Sequence, residues 1–162
     1  MAAKAAVGEL GLRPAGAGDA AAIAALINQA FSVEHFFIDG DRTSAAEVLA
    51  MLGGGEFLLL EDADSRLAAC VYVELRGERG YFGMLSVDQA RQKLGLGRRL
   101  VDAAEQRCRS AGCRIMEIQT VNLRLELPPY YRALGYVEVG TVPFTSERLK
   151  QPCHFIKMEK PL

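Results

Sequence analysis

The chain has 162 residues, of which 50% are hydrophobic and 24% are charged, so it is long enough to bury a core and ordinary in composition for a globular protein. Its formal net charge of −1 argues against a dedicated nucleic-acid-binding protein, which usually has a marked excess of Lys and Arg. No hydrophobic run approaches the roughly 20 residues that a membrane-spanning helix needs.

The N-terminal part predicts a leader, a strand and a helix. Residues 1–8 lack the long apolar region of a secretion signal and are expected to be a loose leader, with a single domain over residues 9–162. Leu10–Pro14 predicts a short first strand. Asp19 is a good N-cap residue for a helix over Ala20–Phe31.

A second helix is expected after an irregular segment. Residues 31–42 are rich in aromatic and acidic side chains and show no period. Thr43 or Ser44 would cap a helix that ends at Leu52, and Glu47, three residues after Ser44, would complete a capping box. The glycines that follow predict a turn into a sheet.

The rest of the chain alternates strands and helices, which predicts an α/β fold with a mixed sheet. The short apolar runs and the amphipathic or capped stretches give the type of each element. The predicted strands are residues 56–61, 67–74, 81–87, 115–121, 136–139 and 155–158. The predicted helices are one that begins near Arg98 and stops at Gly112, and a short one over 130–134 opened by Pro128 and Pro129 and ended by Gly135.

A glycine motif, Gln92-Lys93-Leu94-Gly95-Leu96-Gly97, joins the strand over 81–87 to the long helix. A strand that turns through glycines into a helix directs free backbone N–H groups to one point, where the helix dipole also favours an anion. The motif lacks the Lys-Ser/Thr of a phosphate loop and the third glycine of a dinucleotide-binding loop. A plain turn with solvated arginines is the alternative.

With Val87–Arg91 before it, the motif resembles the acyl-coenzyme A-binding motif of the GCN5-related N-acetyltransferase (GNAT) superfamily. The order strand, two helices, three strands, helix, strand, helix and two strands is similar to the acyl-CoA N-acyltransferase fold of that family. The resemblance implies acetyl-CoA as the cosubstrate. It also implies a pantetheine arm lying between splayed strands and a pyrophosphate on the glycine motif. The cofactor-binding residues that it implies are Leu85, Ser86, Val87, Gln92, Lys93, Leu94, Gly95, Leu96, Gly97 and Arg98. Independently of the resemblance, the turn is crowded by basic residues that would supply mobile positive charge, namely Arg91, Lys93, Arg98 and Arg99.

The resemblance also implies a general acid. Tyr131 is in register with the tyrosine of the family's Tyr-x-x-x-Gly-Phe ending and would protonate the departing thiolate. An aromatic anchor for its helix is the alternative, and Tyr130 is expected to pack or to face solvent. Asn122 is farther from Tyr131 than the family pattern has it, so a cofactor role for Asn122 does not follow.

The base and the acceptor stay open at this stage. Glu117 and Glu74 are the nearest acidic candidates for a base, and Tyr81 stands where the family's founding member carries a glutamate. An exposed sheet face explains the two acids equally well, and water could take the proton instead. Residues 31–41, with three phenylalanines and three acids, would suit an amine with an apolar body or would simply cover the core. His35 is expected to be structural.

The four cysteines form no Cys-x-x-Cys pair and are expected to be reduced thiols in a cytoplasmic protein. The two histidines lack partners at ligand spacing, so no metal is expected. The leading hypothesis is an acetyl-CoA-dependent N-acetyltransferase that acts by direct transfer to a small-molecule or peptide amine. A non-catalytic acyl-CoA-binding module and an unrelated nucleotide-binding domain are the alternatives. Neither a nucleic acid nor a membrane is an expected partner, and a homodimer is compatible with the sequence.

Overall fold

A computed structural model describes residues 9–162, so the predicted leader lies outside the described residues. Within this range one mixed sheet carries helices on both faces, in strand order β1-β2-β3-β4-β5-β7-β6. The strands are β1 (Gly11–Pro14), β2 (Glu56–Glu61), β3 (Leu67–Arg76), β4 (Arg79–Val87), β5 (Ile115–Val121), β6 (Val137–Pro143) and β7 (His154–Pro161). The helices are α1 (Ala20–Phe31), α2 (Ala45–Leu52), α3 (Leu96–Ser110) and α4 (Leu127–Ala133).

The predicted type and order of these elements are confirmed, and their ends differ in informative ways. Helix α3 begins at Leu96, inside the glycine motif, so Gly97 belongs to its first turn. Helix α4 begins at Leu127 and takes both prolines into its first turn. Proline is tolerated there because the first N–H groups of a helix have no partner within the helix.

The two predicted helix caps have different outcomes. Asp19 occupies the N-cap position of α1, as predicted, but its carboxylate makes no cap bond and instead accepts hydrogen bonds from Arg13, at 2.8 and 2.9 Å, and from the Gly16 amide. Ser44 does cap α2, and its hydroxyl accepts from the Glu47 amide at 3.2 Å. The Glu47 carboxylate then accepts from the Thr43 hydroxyl.

Alternate residues of each central strand pack against opposite faces of the sheet. In β2, Leu59 packs with α1 and α2, through residues such as Ile27 and Val48. Its neighbour Leu60 packs on the other face with α3, through residues such as Leu100. Because both faces are covered, the strand is an unbroken apolar run rather than an alternating one.

The two parallel strands of the sheet, β4 and β5, separate after a short contact. They pair only over residues 79–81 of β4 and 115–117 of β5. Beyond that point β4 bends, since its register against β3 shifts and Met84 adopts a φ of +54°. Among the described residues, the edge of β4 from Phe82 to Val87 therefore lacks a strand partner on its β5 side. No helix within residues 9–162 has the length and hydrophobicity to cross a bilayer.

Candidate active site

A cavity of about 690 Å³ opens where β4 and β5 separate. This volume is in the range of small-molecule and cofactor sites. One end is lined by the glycine motif and the start of α3, and the middle by β4, β5 and α4. The other end is lined by the end of α1 and the segment that follows it. The cavity thus joins the two faces of the sheet, so two molecules could meet in it from opposite sides.

The glycine-motif end of the cavity is built to hold an anion. Lys93 and Gly95 have positive φ values of 64° and 78°, which turn the chain sharply into α3. The first amide bonded within that helix is Arg99, which donates to the Gly95 carbonyl at 3.0 Å. Within the described residues no hydrogen bond engages the amides of residues 92–98. These free N–H groups lie at the positive end of the helix dipole.

Two of the four basic residues expected to be mobile here are held elsewhere. Arg91 lines the cavity, but its guanidinium is fixed by Asp62 at 2.5 Å. Arg99 donates to the Leu10 carbonyl at 2.9 Å. Lys93 makes no ion pair within residues 9–162, and Arg98, whose side chain is 65% exposed, is 3.9 Å from a helical neighbour. Lys93 and Arg98 are therefore the residues free to follow a bound phosphate.

The structure brings most of the predicted cofactor-binding residues to this cavity. Leu85 and Val87 line its middle, and the glycine motif lines its end, apart from Leu94, which packs against the core. Ser86 does not line the cavity, since its hydroxyl is buried and donates to the Met84 carbonyl at 3.0 Å. A main-chain contact with a pantetheine arm does not depend on that side chain.

Tyr131 lies in the wall of the cavity and is only 7% exposed. Its ring packs against Phe82 and Tyr136, with centroids 6.1 and 5.9 Å apart. Its hydroxyl makes no hydrogen bond to any residue in 9–162, and burial raises its pKa, so it stays protonated. The packing fits an aromatic anchor, whereas the unpaired hydroxyl fits a proton donor.

Tyr130 packs against the Tyr131 ring, with centroids 5.1 Å apart, and is partly exposed, as the sequence led us to expect. It is 40% exposed, yet it also lines the cavity. A Cβ atom added to Gly97 would lie 3.4 Å from the Tyr130 hydroxyl, so that hydroxyl lies beside the glycine motif. Its pKa is also raised by burial.

Neither acid suggested by the sequence as a base reaches the cavity. Glu117 is held by Arg79 at 2.6 Å and lies 3.8 Å from Arg76. Glu74 accepts hydrogen bonds from Tyr72 and Arg76, each at 2.9 Å. Both carboxylates belong to ion pairs, but Glu117 is buried, at 9% exposed, so the exposed sheet face that the sequence left open does not account for it.

Glu34 is the buried acid that sequence reasoning did not single out. It is 7% exposed, on the short turn after α1, and lines the cavity opposite the glycine motif. Burial raises the pKa of its carboxyl, and the Arg124 guanidinium, 3.0 Å away, offsets part of that shift. The only sequence signal was an acid within an aromatic segment, which does not distinguish Glu34 from the exposed acids nearby.

Some residues of the segment over 31–41 line the cavity, and others cover the core. Phe31 and Glu34 line the cavity, but Phe37 is fully buried in a small separate core, and Phe36 is half exposed against its edge. His35 is exposed and lines only a smaller neighbouring cavity of about 100 Å³.

Asn122 lies outside the cavity. Its side-chain oxygen accepts a hydrogen bond from the His154 backbone amide at 2.8 Å, and its backbone amide donates to the His154 carbonyl. It fixes the start of β7 to the end of β5.

Comparisons with known proteins agree with this geometry. Residues 28–162 match a family described as "Acetyltransferase (GNAT) domain", which confirms the resemblance that the glycine motif indicated. Three solved structures share the fold with 14–18% identity. A phosphinothricin acetyltransferase from Sinorhizobium meliloti in complex with AcCoA superposes with a TM-score of 0.76 at 18% identity, covering 95% of this chain and 89% of that one. The ribosomal-protein-S18-alanine N-acetyltransferase from Escherichia coli gives 0.76 at 15%, covering 94% and 93%. Ard1 from Thermoplasma volcanium gives 0.78 at 14%, covering 95% and 98%.

Proposed function

Because the chain belongs to the GNAT acetyltransferase family, we propose that it moves an acetyl group from acetyl-CoA to a primary amine by direct transfer in a ternary complex. The observation that carries the proposal is the single cavity that joins free helix-end amides on one face of the sheet to a buried carboxylate on the other. That arrangement gives a diphosphate and an amine separate ends of one site.

The cofactor would bind in the gap where β4 and β5 separate. We assign the pyrophosphate to the amides of residues 92–98 and the pantetheine arm to the unpaired edge of β4 at Leu85, Ser86 and Val87. Lys93 and Arg98 would add charge to the phosphates. The Sinorhizobium meliloti relative, solved in complex with AcCoA, supports the choice of acetyl-CoA.

Direct transfer is favoured over a covalent enzyme intermediate. Among the described residues, no Cys or Ser lines the cavity. Burial raises the pKa of the Cys70 and Cys108 thiols to about 12, so they are poor nucleophiles at neutral pH. The amine itself is then the nucleophile. All four cysteines are separate free thiols, which fits the reducing cytoplasm that we propose as the compartment.

Acyl transfer to an amine requires two proton movements. An ammonium group must lose a proton before its nitrogen can attack, and we propose that the Glu34 carboxylate takes it. The raised pKa of that carboxyl makes it a stronger base than an exposed glutamate. The nitrogen then attacks the thioester carbonyl, a C–N bond forms and the C–S bond breaks.

We assign Tyr131 to the leaving thiolate. A thiol with a pKa of roughly 8.5 leaves better as its sulfur accepts a proton or a strong hydrogen bond. The unpaired hydroxyl of Tyr131 is protonated at neutral pH and is free to donate one. Its role as an aromatic anchor is compatible with this, since the ring and the hydroxyl act separately.

The test is Tyr131→Phe, which removes the hydroxyl and keeps the ring packing. We expect coenzyme A release with an amine panel to fall roughly 100-fold or more, with acetyl-CoA affinity in calorimetry and the melting temperature nearly unchanged. Tyr130→Phe is the matched control and should retain most of the turnover. Normal turnover in Tyr131→Phe would remove that hydroxyl from the mechanism. Cofactor binding by the unaltered protein without turnover of any amine would indicate a non-catalytic acyl-CoA-binding module.

A further inference from the structure

The acceptor end of the cavity contains an arginine that has no hydrogen-bond or ion-pair partner among residues 9–162. Arg42 is half-buried and lines the same cavity as Glu34. Its guanidinium carbon lies 5.5 Å from the centre of the Phe31 ring. Within residues 9–162 it makes no hydrogen bond and has no carboxylate within 4.0 Å. Arg42 shares this cavity with Glu34 and Tyr81, and burial raises the pKa of both groups while the charge of Arg42 offsets part of each shift.

The other arginine at this end is already satisfied. Arg124 binds Glu34 at 3.0 Å and Glu126 at 2.5 Å. The two acids together with Arg124 and Arg42 carry no net charge. Both acids pair with Arg124, however, so Arg42 is left without a carboxylate. A half-buried guanidinium that has lost water without gaining an acceptor is unfavourable, and an anion that enters the cavity would relieve this.

The neighbouring groups do not supply that anion. In the smaller outer cavity Asp39 is paired with Lys150 at 3.3 Å. Asp41 has an exposed side chain, and Arg148 donates to the Asp41 backbone carbonyl at 2.8 Å. Neither acid lies within ion-pair distance of Arg42.

We propose that the acceptor is a zwitterionic amine that carries a carboxylate, such as a free amino acid. Its ammonium group faces Glu34 and its carboxylate binds the Arg42 guanidinium, whose planar N–H groups match both carboxylate oxygens. The apolar part of the acceptor packs against Phe31 and against Phe144 and Phe155, whose rings stack 4.4 Å apart in the cavity wall. This inference rests on the proposed function and narrows its amine.

Binding of a zwitterion also leaves the net charge of the site unchanged. The positive charge of the acceptor meets the Glu34 carboxylate, and its negative charge meets the Arg42 guanidinium. A simple alkylamine would leave Arg42 unpaired, and a diamine would bring a second cation toward it. Both would bind less well than a molecule that pairs each group.

The experiment compares acids with their amides. The standard L-amino acids and their C-terminal amides are assayed with acetyl-CoA by thiol release, in the unaltered protein and in Arg42→Gln. We expect kcat/KM to favour at least one amino acid over its amide by roughly 10- to 100-fold, and Arg42→Gln to lower kcat/KM for that acid far more than for its amide, so that the preference is lost. Arg148→Gln, at an arginine that lines only the outer cavity, is the matched control and should keep the preference.

The outcomes separate this inference from the function on which it rests. Turnover of amides or simple amines, with no amino acid favoured, would keep the acetyltransferase proposal and overturn the zwitterion. An equal loss on acids and amides in Arg42→Gln would also overturn it. If the unaltered protein showed no turnover and calorimetry detected no binding of acetyl-CoA to it, the proposed function itself would be overturned.

Discussion

Gly97→Val is the perturbation that most directly tests the proposed pyrophosphate site. A Cβ atom at this position would have three near neighbours: the Tyr130 hydroxyl at 3.4 Å, a Val87 methyl at 3.9 Å and a Leu85 methyl at 4.0 Å. All three residues line the cavity, so the added carbon enters space that is empty in the folded protein. Gly97 does not have the positive φ of Gly95, so the substitution brings no backbone strain.

The magnitude follows from what the valine blocks and what it leaves intact. Replacing glycine in the first turn of α3 should change the free energy of unfolding by less than about 1 kcal/mol. Each charge-assisted bond from an amide to a phosphate contributes about 1.5–3 kcal/mol, and the side chain keeps the anion from about two of them. A loss of about 3–6 kcal/mol corresponds to a Kd for coenzyme A that is roughly 100- to 20,000-fold higher.

The assay is calorimetric titration with coenzyme A, together with thermal unfolding of the free protein. Gly140→Val is the matched control, because a Cβ there meets no atom of the described residues within 4 Å and Gly140 is on the exposed strand β6, outside the cavity. It should bind coenzyme A normally. An unchanged Kd in Gly97→Val, with an intact thermal transition, would refute the argument that these amides hold the diphosphate.

Three further predictions concern the fold. Lys160→Met should lower the free energy of unfolding in urea by about 3 kcal/mol, because it removes the ammonium 2.6 Å from the buried Glu105 carboxylate; a loss below 1 kcal/mol would contradict this. Asp19→Asn should lower the melting temperature at pH 7 but not near pH 2. The reason is that an arginine partner lowers the Asp19 pKa from 3.8 to about 2, so the stability that this carboxylate contributes above pH 3.8 is lost as the pH falls through 2. An equal decrease of the melting temperature at both pH values would contradict this. Gly80→Ala should destabilise the protein by about 1–3 kcal/mol, because its Cβ would lie 2.4 Å from the Cys108 sulfur, and a second change, Cys108→Ala, should recover part of the loss.

Local patterns in the sequence predicted most of the elements and the anion-binding end of the site. The bounds of α1, β2 and β5 follow from apolar period and turn residues, which act over a few neighbouring positions. The glycine motif could be interpreted for the same reason, since a sharp turn and a helix N-terminus are both local structures. Asp19 shows the limit of such rules: the guanidinium of Arg13 competes for its carboxylate and takes it from the helix end.

The sequence by itself determined the order of strands and helices, the turn at Gly95 and the family, because each is carried by residues that are adjacent along the chain. Only the tertiary structure decided which charges meet in the cavity. Glu34 and Arg124 are 90 positions apart and bond at 3.0 Å, while Glu117, the acid suggested by its strand, is taken by Arg79. Such pairings depend on how β4 and β5 separate and on which loops pack over the gap, and no local pattern records the distance between two segments once they are folded.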